Sequence, residues 1–120
     1  MVTILDPQST PQSAPIHLSF HLVATLNVSA DDARRQVNRL AVPELGTGLV
    51  AREPELLISG EQIIWRVPIV LSLPALGDLG QVGTVDVDAR TGELLLDAPT
   101  EERIVQHARR LYRGATLQAE

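Results

Sequence analysis

The segment from Gln62 to Leu73 constrains the fold of this chain more than any other part of the sequence. Apolar residues fill all of its odd positions: Ile63, Trp65, Val67, Ile69, Leu71 and Leu73. The even positions include Arg66, Pro68 and Ser72. Because successive side chains of a strand point to opposite faces, this alternation predicts a long strand with one face in the core. Pro68 has no N–H to donate, which predicts that the strand lies at a sheet edge there or is bulged.

Two other segments have the apolar spacing of helices. Residues 30–41 follow Ser29, a favourable N-cap, and their apolar side chains share one helical face: Ala30, Ala33, Val37, Leu40 and Ala41. The second segment opens at Pro99 and Thr100 and is predicted to end just before Gly114. Its predicted buried stripe consists of Ile104, Ala108, Leu111 and Tyr112.

The rest of the chain consists of short strand-like runs and turns. The runs with strand character are residues 16–27, 47–53, 56–58, 82–88 and 93–96. Residues 74–80 are predicted to be a loop and residues 88–92 a hairpin turn, because both are rich in Gly, Pro and Asp. The sequence therefore predicts an α+β fold, with an antiparallel β-sheet of four to six strands and two α-helices packed on one face.

The domain organisation follows from the proline pattern near the N-terminus. Residues 6–15 are polar and carry three prolines, so residues 1–15 are predicted to form an irregular N-terminal arm. Residues 16–120 are predicted to be a single domain. The sequence shows no basic targeting segment and no apolar run of about 20 residues. These features predict a cytoplasmic location without a membrane partner.

Charge and composition exclude several classes of function. Ten Arg against fifteen Asp and Glu give a net charge of -5, which argues against direct binding of nucleic acid or anionic membranes. The sequence has no Cys, which excludes disulfides, thiolate metal sites and thiol nucleophiles. All ten cations are Arg, so Schiff-base and P-loop lysines are also excluded. The arginines are scattered, which argues against dense recognition of carboxylates or phosphates.

The histidines do not form a recognisable site in the sequence. His17 and His21 share one face of a predicted strand but would lie about 13 Å apart, too far to bind one metal ion. They are predicted to face solvent. His107 stands alone on the second predicted helix and has no acidic partner close in sequence.

The aspartates and glycines near the predicted hairpin favour a structural interpretation. Asp86 and Asp88 could begin a calcium loop, but Arg90 and Thr91 stand where a further oxygen ligand and a glycine are required. The two aspartates are predicted to be a solvated strand face that ends in an Asx turn. A glycine spacing typical of phosphate loops, at Gly77, Gly80 and Gly83, is followed by a predicted strand and not by a helix. We therefore predict no catalytic residue, metal ligand or cofactor, and no enzymatic activity.

Two blocks of the sequence resemble known proteins. Residues 80–93, which read GQVGTVDVDARTGE, resemble the hairpin of PepSY-like domains, whose strand ends in Val-Asp-Ala-x-Thr-Gly-Glu. Together with residues 65–74, the stretch as far as Leu96 resembles small bacterial proteins often encoded next to PIN-domain nucleases. The resemblance implies a helix packed on an antiparallel sheet and a binding or inhibitory module. It implies no catalytic residue.

The sequence thus predicts a small non-catalytic protein-interaction module that binds another protein or itself, as a homo-oligomer. The predicted partner-binding surface combines a proline-bounded strand with an apolar loop, because strand edges and exposed apolar side chains favour docking. Its residues are Arg66, Pro68, Pro74, Leu76 and Leu79.

Two alternative functions remain at this point. The first is an antitoxin-like partner of a neighbouring PIN-domain nuclease, for which the acidic charge would complement a basic nuclease site. The second is an enzyme with a His/Asp site. That site would need His17, His21 or His107 within about 3 Å of Asp86 or Asp88.

Overall fold

The computed structural model describes residues 2–4 and 26–119 of the chain. The strands within these residues are β1 (Val2–Ile4), β2 (Leu49–Ala51), β3 (Glu55–Ser59), β4 (Gln62–Leu73), β5 (Gly77–Asp88) and β6 (Leu94–Leu95). The helices are α1 (Ala30–Leu40), α2 (Val42–Leu45) and α3 (Ala98–Ala119).

The long strand β4 is the central strand of the sheet. One of its sides pairs antiparallel with β3 and, further along, with β2, while its other side pairs antiparallel with β5. β6 pairs antiparallel with β5, and β1 pairs in parallel with β3. The described residues therefore form five antiparallel strands with one short parallel strand added. This confirms the predicted α+β fold, with α1 and α3 packed on an antiparallel sheet and α2 adding a single turn.

Helix α1 begins where its sequence predicts. The Asp32 N–H donates to Ser29 Oγ at 3.1 Å, and the Ser29 N–H donates to Asp32 Oδ2 at 3.3 Å. This reciprocal capping box satisfies two backbone donors at the start of the helix. Ala33 and Val37 are fully buried and attach α1 to the sheet. The Asn38 side chain accepts from the Ala51 N–H at 2.9 Å, which caps the outer edge of β2.

Pro68 lies at a position of β4 where sheet pairing does not require a backbone N–H. β4 is paired on both sides over most of its length, but on one side the pairing with β3 ends at Arg66 and the pairing with β2 begins at Ile69, so neither of these strands pairs with Pro68. The Arg52 N–H donates to the Pro68 carbonyl at 2.9 Å, which directs the polar backbone groups of Pro68 toward the β2 and β3 side. Residues 52–54, which connect β2 to β3 beside Pro68, belong to neither strand. A register shift does occur close to Pro68, between Ile69 and Val70, but its additional residue is Val82 of β5 and not a residue of β4.

The core lies between the sheet and the helices. Its apolar residues form one cluster that joins the odd face of β4 to α1 and to Ile104 of α3. Ile69 and Ile104 are its largest fully buried side chains. α3 approaches β5 closely at Gly83, where a Cβ atom would lie 2.5 Å from Ile104 Cγ1. Only glycine allows this approach without a shift of the helix, so Gly83 sets the distance between α3 and the sheet.

Several predicted boundaries differ from the structure. The predicted loop 74–80 is shorter, because β5 already begins at Gly77 and contains bulges that have the same glycine-rich composition as a loop. α3 continues through Gly114 to Ala119. Val2–Ile4, within the predicted irregular arm, form strand β1. The remainder of the arm and nearly all of the predicted strand 16–27 lie outside the described residues.

Candidate functional site

Arg66, the first residue of the predicted partner surface, is engaged inside the chain. It lies opposite Asp86 on the neighbouring strand, with Nε 3.0 Å from Oδ1 and Nη2 3.2 Å from Oδ2. This two-pronged hydrogen bond to Asp86 raises the pKa of Arg66 above its ordinary value. The pair lies on the face of the sheet opposite the helices, because Arg66 occupies an even position of β4.

The other predicted partner residues occupy three different environments. Pro68 is half-buried on the same face as Arg66, opposite α1 and α3, while Pro74 and Leu76 are exposed in the turn between β4 and β5. Leu79 was predicted to lie in a loop, but it belongs to β5 and packs against the core cluster. The reason is a bulge: Leu71 pairs with Gly80 and Ser72 with Asp78, so Leu79 is the additional residue. The five residues therefore do not form one continuous surface.

The aspartates of the predicted solvated face have structural partners. Asp86 binds Arg66, and Asp88 Oδ1 accepts the backbone N–H groups of Arg90 at 2.8 Å and Thr91 at 3.0 Å. The hydrogen bonds to Thr91 and Arg90 lower the pKa of Asp88. This geometry is the Asx turn that the sequence predicts. The part of the chain that the structure describes contains no group of three or more metal-binding side chains.

Of the three histidines, only His107 falls within the described residues. It is half-buried in a cleft between α3 and β5, whose lining includes no carboxylate: Val82, Gly83, Thr84, Thr100, Arg103, Ile104, Gln106, His107 and Arg110. Of the residues that the structure describes, no Asp or Glu therefore lies beside His107 in this cleft. His17 and His21 lie outside the described residues.

A second groove, which the sequence does not reveal, lies between α2 and α3. We call it the α2–α3 groove, and it has a volume of about 580 Å³. Its lining is Leu45, Gly46, Thr47, Leu71, Leu73, Val105, Ala108, Arg109, Tyr112 and Arg113. Val105, Ala108 and Tyr112 repeat at helical spacing, so one stripe of α3 forms a wall of the groove. The Tyr112 side chain is 51% exposed.

Helix α3 concentrates positive charge in an acidic chain. Four of its residues between 103 and 113 are arginines, and residues 103–119 contain no Asp or Glu. The ion pairs between described residues use other arginines: Arg34, Arg35, Arg52 and Arg66. The expectation that the arginines are scattered is therefore wrong for α3. The sequence does contain this cluster, between Arg103 and Arg113, but the net charge of the whole chain does not show it.

Comparisons of the chain with protein-family models, with curated proteins and with solved structures found no match. The resemblance to PepSY-like domains and to the neighbours of PIN-domain nucleases therefore stays a prediction. Among the described residues, no helix is long and apolar enough to cross a membrane.

Proposed function

We propose that this chain is a non-catalytic protein-interaction module that receives an acidic, apolar segment of a partner protein in the α2–α3 groove. One observation carries the proposal. The groove places an exposed aromatic ring and aliphatic side chains beside Arg109 and Arg113, neither of which belongs to an ion pair between described residues.

The apolar lining of the groove favours binding of a partner through the hydrophobic effect. Leu45, Leu73 and Tyr112 line it from three different elements, and Tyr112 keeps half of its surface in water. Covering apolar surface contributes about 25 cal/mol per Å². Tyrosine is also enriched among the residues that contribute most to protein interfaces. A partner that covers Tyr112 would therefore bury apolar surface that the isolated chain leaves in water, and this burial would stabilise the complex.

The charge of the groove favours an acidic partner. Arg109 and Arg113 are one helical turn apart, so their guanidinium groups lie on the same side of α3. Arginine can hold a carboxylate through two parallel hydrogen bonds. The chain as a whole carries a net charge of -5, so an acidic segment is repelled elsewhere and attracted here. Charge therefore orients the partner toward α3.

Part of the partner surface predicted from the sequence is continuous with this groove. Leu73 lines the groove, and Pro74 and Leu76 follow it directly in the exposed turn between β4 and β5. These two residues extend the proposed surface beyond the groove. Arg66 and Pro68 lie on the opposite face of the sheet and are not part of it. A binding role is also what the resemblance to PepSY-like domains implies.

Site-specific photo-cross-linking tests the proposal. Tyr112 is replaced by a photoreactive phenylalanine analogue, and cross-linked peptides from native lysate are mapped by mass spectrometry. We expect one partner protein, attached through a segment that contains both apolar and acidic residues. The double substitution Arg109→Glu and Arg113→Glu should lower the cross-linking yield about tenfold. Arg90→Glu is the matched control, because Arg90 is exposed in the turn after β5 and lies outside the groove.

Three results would contradict the proposal. The first is a cross-link to a neutral or basic segment that persists in the Arg109→Glu, Arg113→Glu variant. The second is an equal loss of cross-linking in the Arg90→Glu control. The third is a cross-link between two copies of this chain only, which would replace the separate partner with a homo-oligomer.

A further inference from the structure

We propose that the cleft on the other side of α3, between α3 and β5, binds the phosphate group of a small phosphorylated ligand. We call it the α3–β5 cleft. It has a volume of about 490 Å³, within the range of small-molecule sites. The proposal does not depend on the α2–α3 groove, because the two sites share no lining residue.

Two arginines and a histidine line one wall of the cleft. Arg103, His107 and Arg110 follow one another at intervals of four and three residues, so they lie in a row on one face of α3. The row is about 10 Å long, from the rise of 1.5 Å per residue. Arg110 takes part in no ion pair between described residues. Among the described residues, no carboxylate lines the cleft, so none of these side chains repels an anion.

The Thr100 hydroxyl holds one of these cations. Arg103 Nη2 donates to Thr100 Oγ1 at 3.1 Å, which fixes the guanidinium at the mouth of the cleft and leaves its other N–H groups available. Thr84 lies on the opposite wall, on β5, and its side chain shares the face of its strand partner Pro68, so its contribution to the cleft is its backbone. A phosphate has several acceptor oxygens and can accept two parallel hydrogen bonds from one guanidinium group.

The backbone of β5 supplies a further donor. Pro68 directs its carbonyl to the β2 side, as its bond from the Arg52 N–H shows. Thr84 is the residue paired with Pro68, so its own N–H and C=O point outward, away from β4. The pairing with β6 begins only at Asp86. Among the described strands, none covers the Thr84 backbone.

The cleft is also rigid. Ile104, whose neighbour Arg103 lines the same wall, is 2% exposed and rests on Gly83 with no room for an additional atom. The part of the α3 backbone that carries Arg103 and His107 is therefore held at a fixed distance from β5. Preorganisation of this kind lowers the entropic cost of binding a small ligand.

An NMR titration of the full chain tests this proposal. Inorganic phosphate is added at constant ionic strength, so that general screening of charge does not change. We expect saturable shifts of the backbone amides of Thr84, Thr100 and His107, with a millimolar Kd. Adenosine monophosphate should produce the same shifts at equal or lower concentration, and adenosine should not. The Arg110→Gln substitution should weaken phosphate binding about tenfold.

Arg113→Gln is the matched control, because Arg113 lies on the same helix but lines the other groove. It should change the Kd by less than about twofold. Equal weakening by Arg113→Gln and Arg110→Gln would show only a general attraction to a basic helix and would overturn the proposal. An absence of saturable shifts at these amides would also overturn it, as would binding of single-stranded DNA without binding of adenosine monophosphate. The thermal midpoint of each variant confirms that its fold is intact.

Discussion

Ile104 of α3 rests directly on Gly83 of β5, so closely that a Cβ at position 83 would lie 2.5 Å from Ile104 Cγ1. This contact determines where α3 lies on the sheet. The α2–α3 groove and the α3–β5 cleft each have α3 as a wall. Both proposed sites therefore depend on a glycine that has no functional group of its own.

The Gly83→Ala substitution should destabilise the fold by overpacking. The added methyl group meets the branched, buried Ile104 side chain, which cannot move aside without displacing α3. We expect a loss of about 1–3 kcal/mol in the free energy of unfolding. Chemical denaturation followed by Trp65 fluorescence measures this loss, because Trp65 packs against the core.

Gly114→Ala is the control for that experiment. Gly114 lies inside α3, and a Cβ there would meet no atom within 4 Å. Alanine should therefore stabilise the helix by about 0.5–1 kcal/mol. If Gly83→Ala were neutral or stabilising as well, the close contact with Ile104 would not determine the position of α3.

Leu79 and Leu76 should respond differently to truncation. Leu79 packs against the core cluster, so Leu79→Ala should lower the free energy of unfolding by about 1–2 kcal/mol, less than for a fully buried leucine. Leu76 is 45% exposed, and Leu76→Ala should stay within about 0.5 kcal/mol of the parent chain. Equal stabilities of the two variants would place Leu79 in the exposed loop that the sequence predicts.

The N-terminus of α3 should make stability depend on pH in the acid range. Asp97 accepts the Thr100 N–H at 2.9 Å, and its hydrogen bonds to Thr100 lower its pKa below the ordinary value of 3.8. The unfolded chain then binds the proton more tightly than the folded chain. The stabilisation from Asp97 is therefore present above pH 3.8 and is lost as the pH falls through the folded-state pKa.

Thermal unfolding of the Asp97→Asn variant isolates this effect. Asparagine keeps the capping geometry but does not titrate. We expect the difference in thermal midpoint between the parent chain and the variant to shrink as the pH is lowered from about 5 to about 2. A difference that stays constant over this range would show that Asp97 does not contribute through its charge.

The Arg66 and Asp86 pair should contribute modestly to stability. The side chains are 41% and 24% exposed, so solvent screens their attraction. A double-mutant cycle with Arg66→Gln and Asp86→Asn should give a coupling energy of about 0.5–1 kcal/mol that falls at high salt. A coupling of zero at low salt would mean that the two-pronged contact does not contribute to stability.

The sequence predicts the central strand well because its signal is local. The apolar residues at every odd position, such as Ile63, Val67 and Ile69, define the core face of β4 without any knowledge of the partner strands. The bulges at Val82 and Leu79 were not predictable in the same way, because glycines mark both loops and irregular strands. A bulge becomes visible only when the register with β4 is known.

The candidate sites depend even more on tertiary structure. The cluster between Arg103 and Arg113 can be read directly in the sequence, but its division between two grooves cannot. That division depends on which side of α3 faces α2 and which faces β5, and thus on the contact between Ile104 and Gly83. Exposed Tyr112 was predicted to be buried because its spacing matches Ala108. Apolar spacing alone does not show which part of a helix lies over the sheet and which part extends beyond it into solvent.

The most direct test of the central claim compares photoreactive residues at three positions. Position 112 lies in the α2–α3 groove, position 76 in the adjoining turn, and position 68 on the sheet face opposite α1 and α3. The proposal predicts that the same partner cross-links from positions 112 and 76 and not from position 68. A partner that cross-links from position 68 and not from position 112 would contradict it, and would place the interaction on the sheet face that carries Arg66.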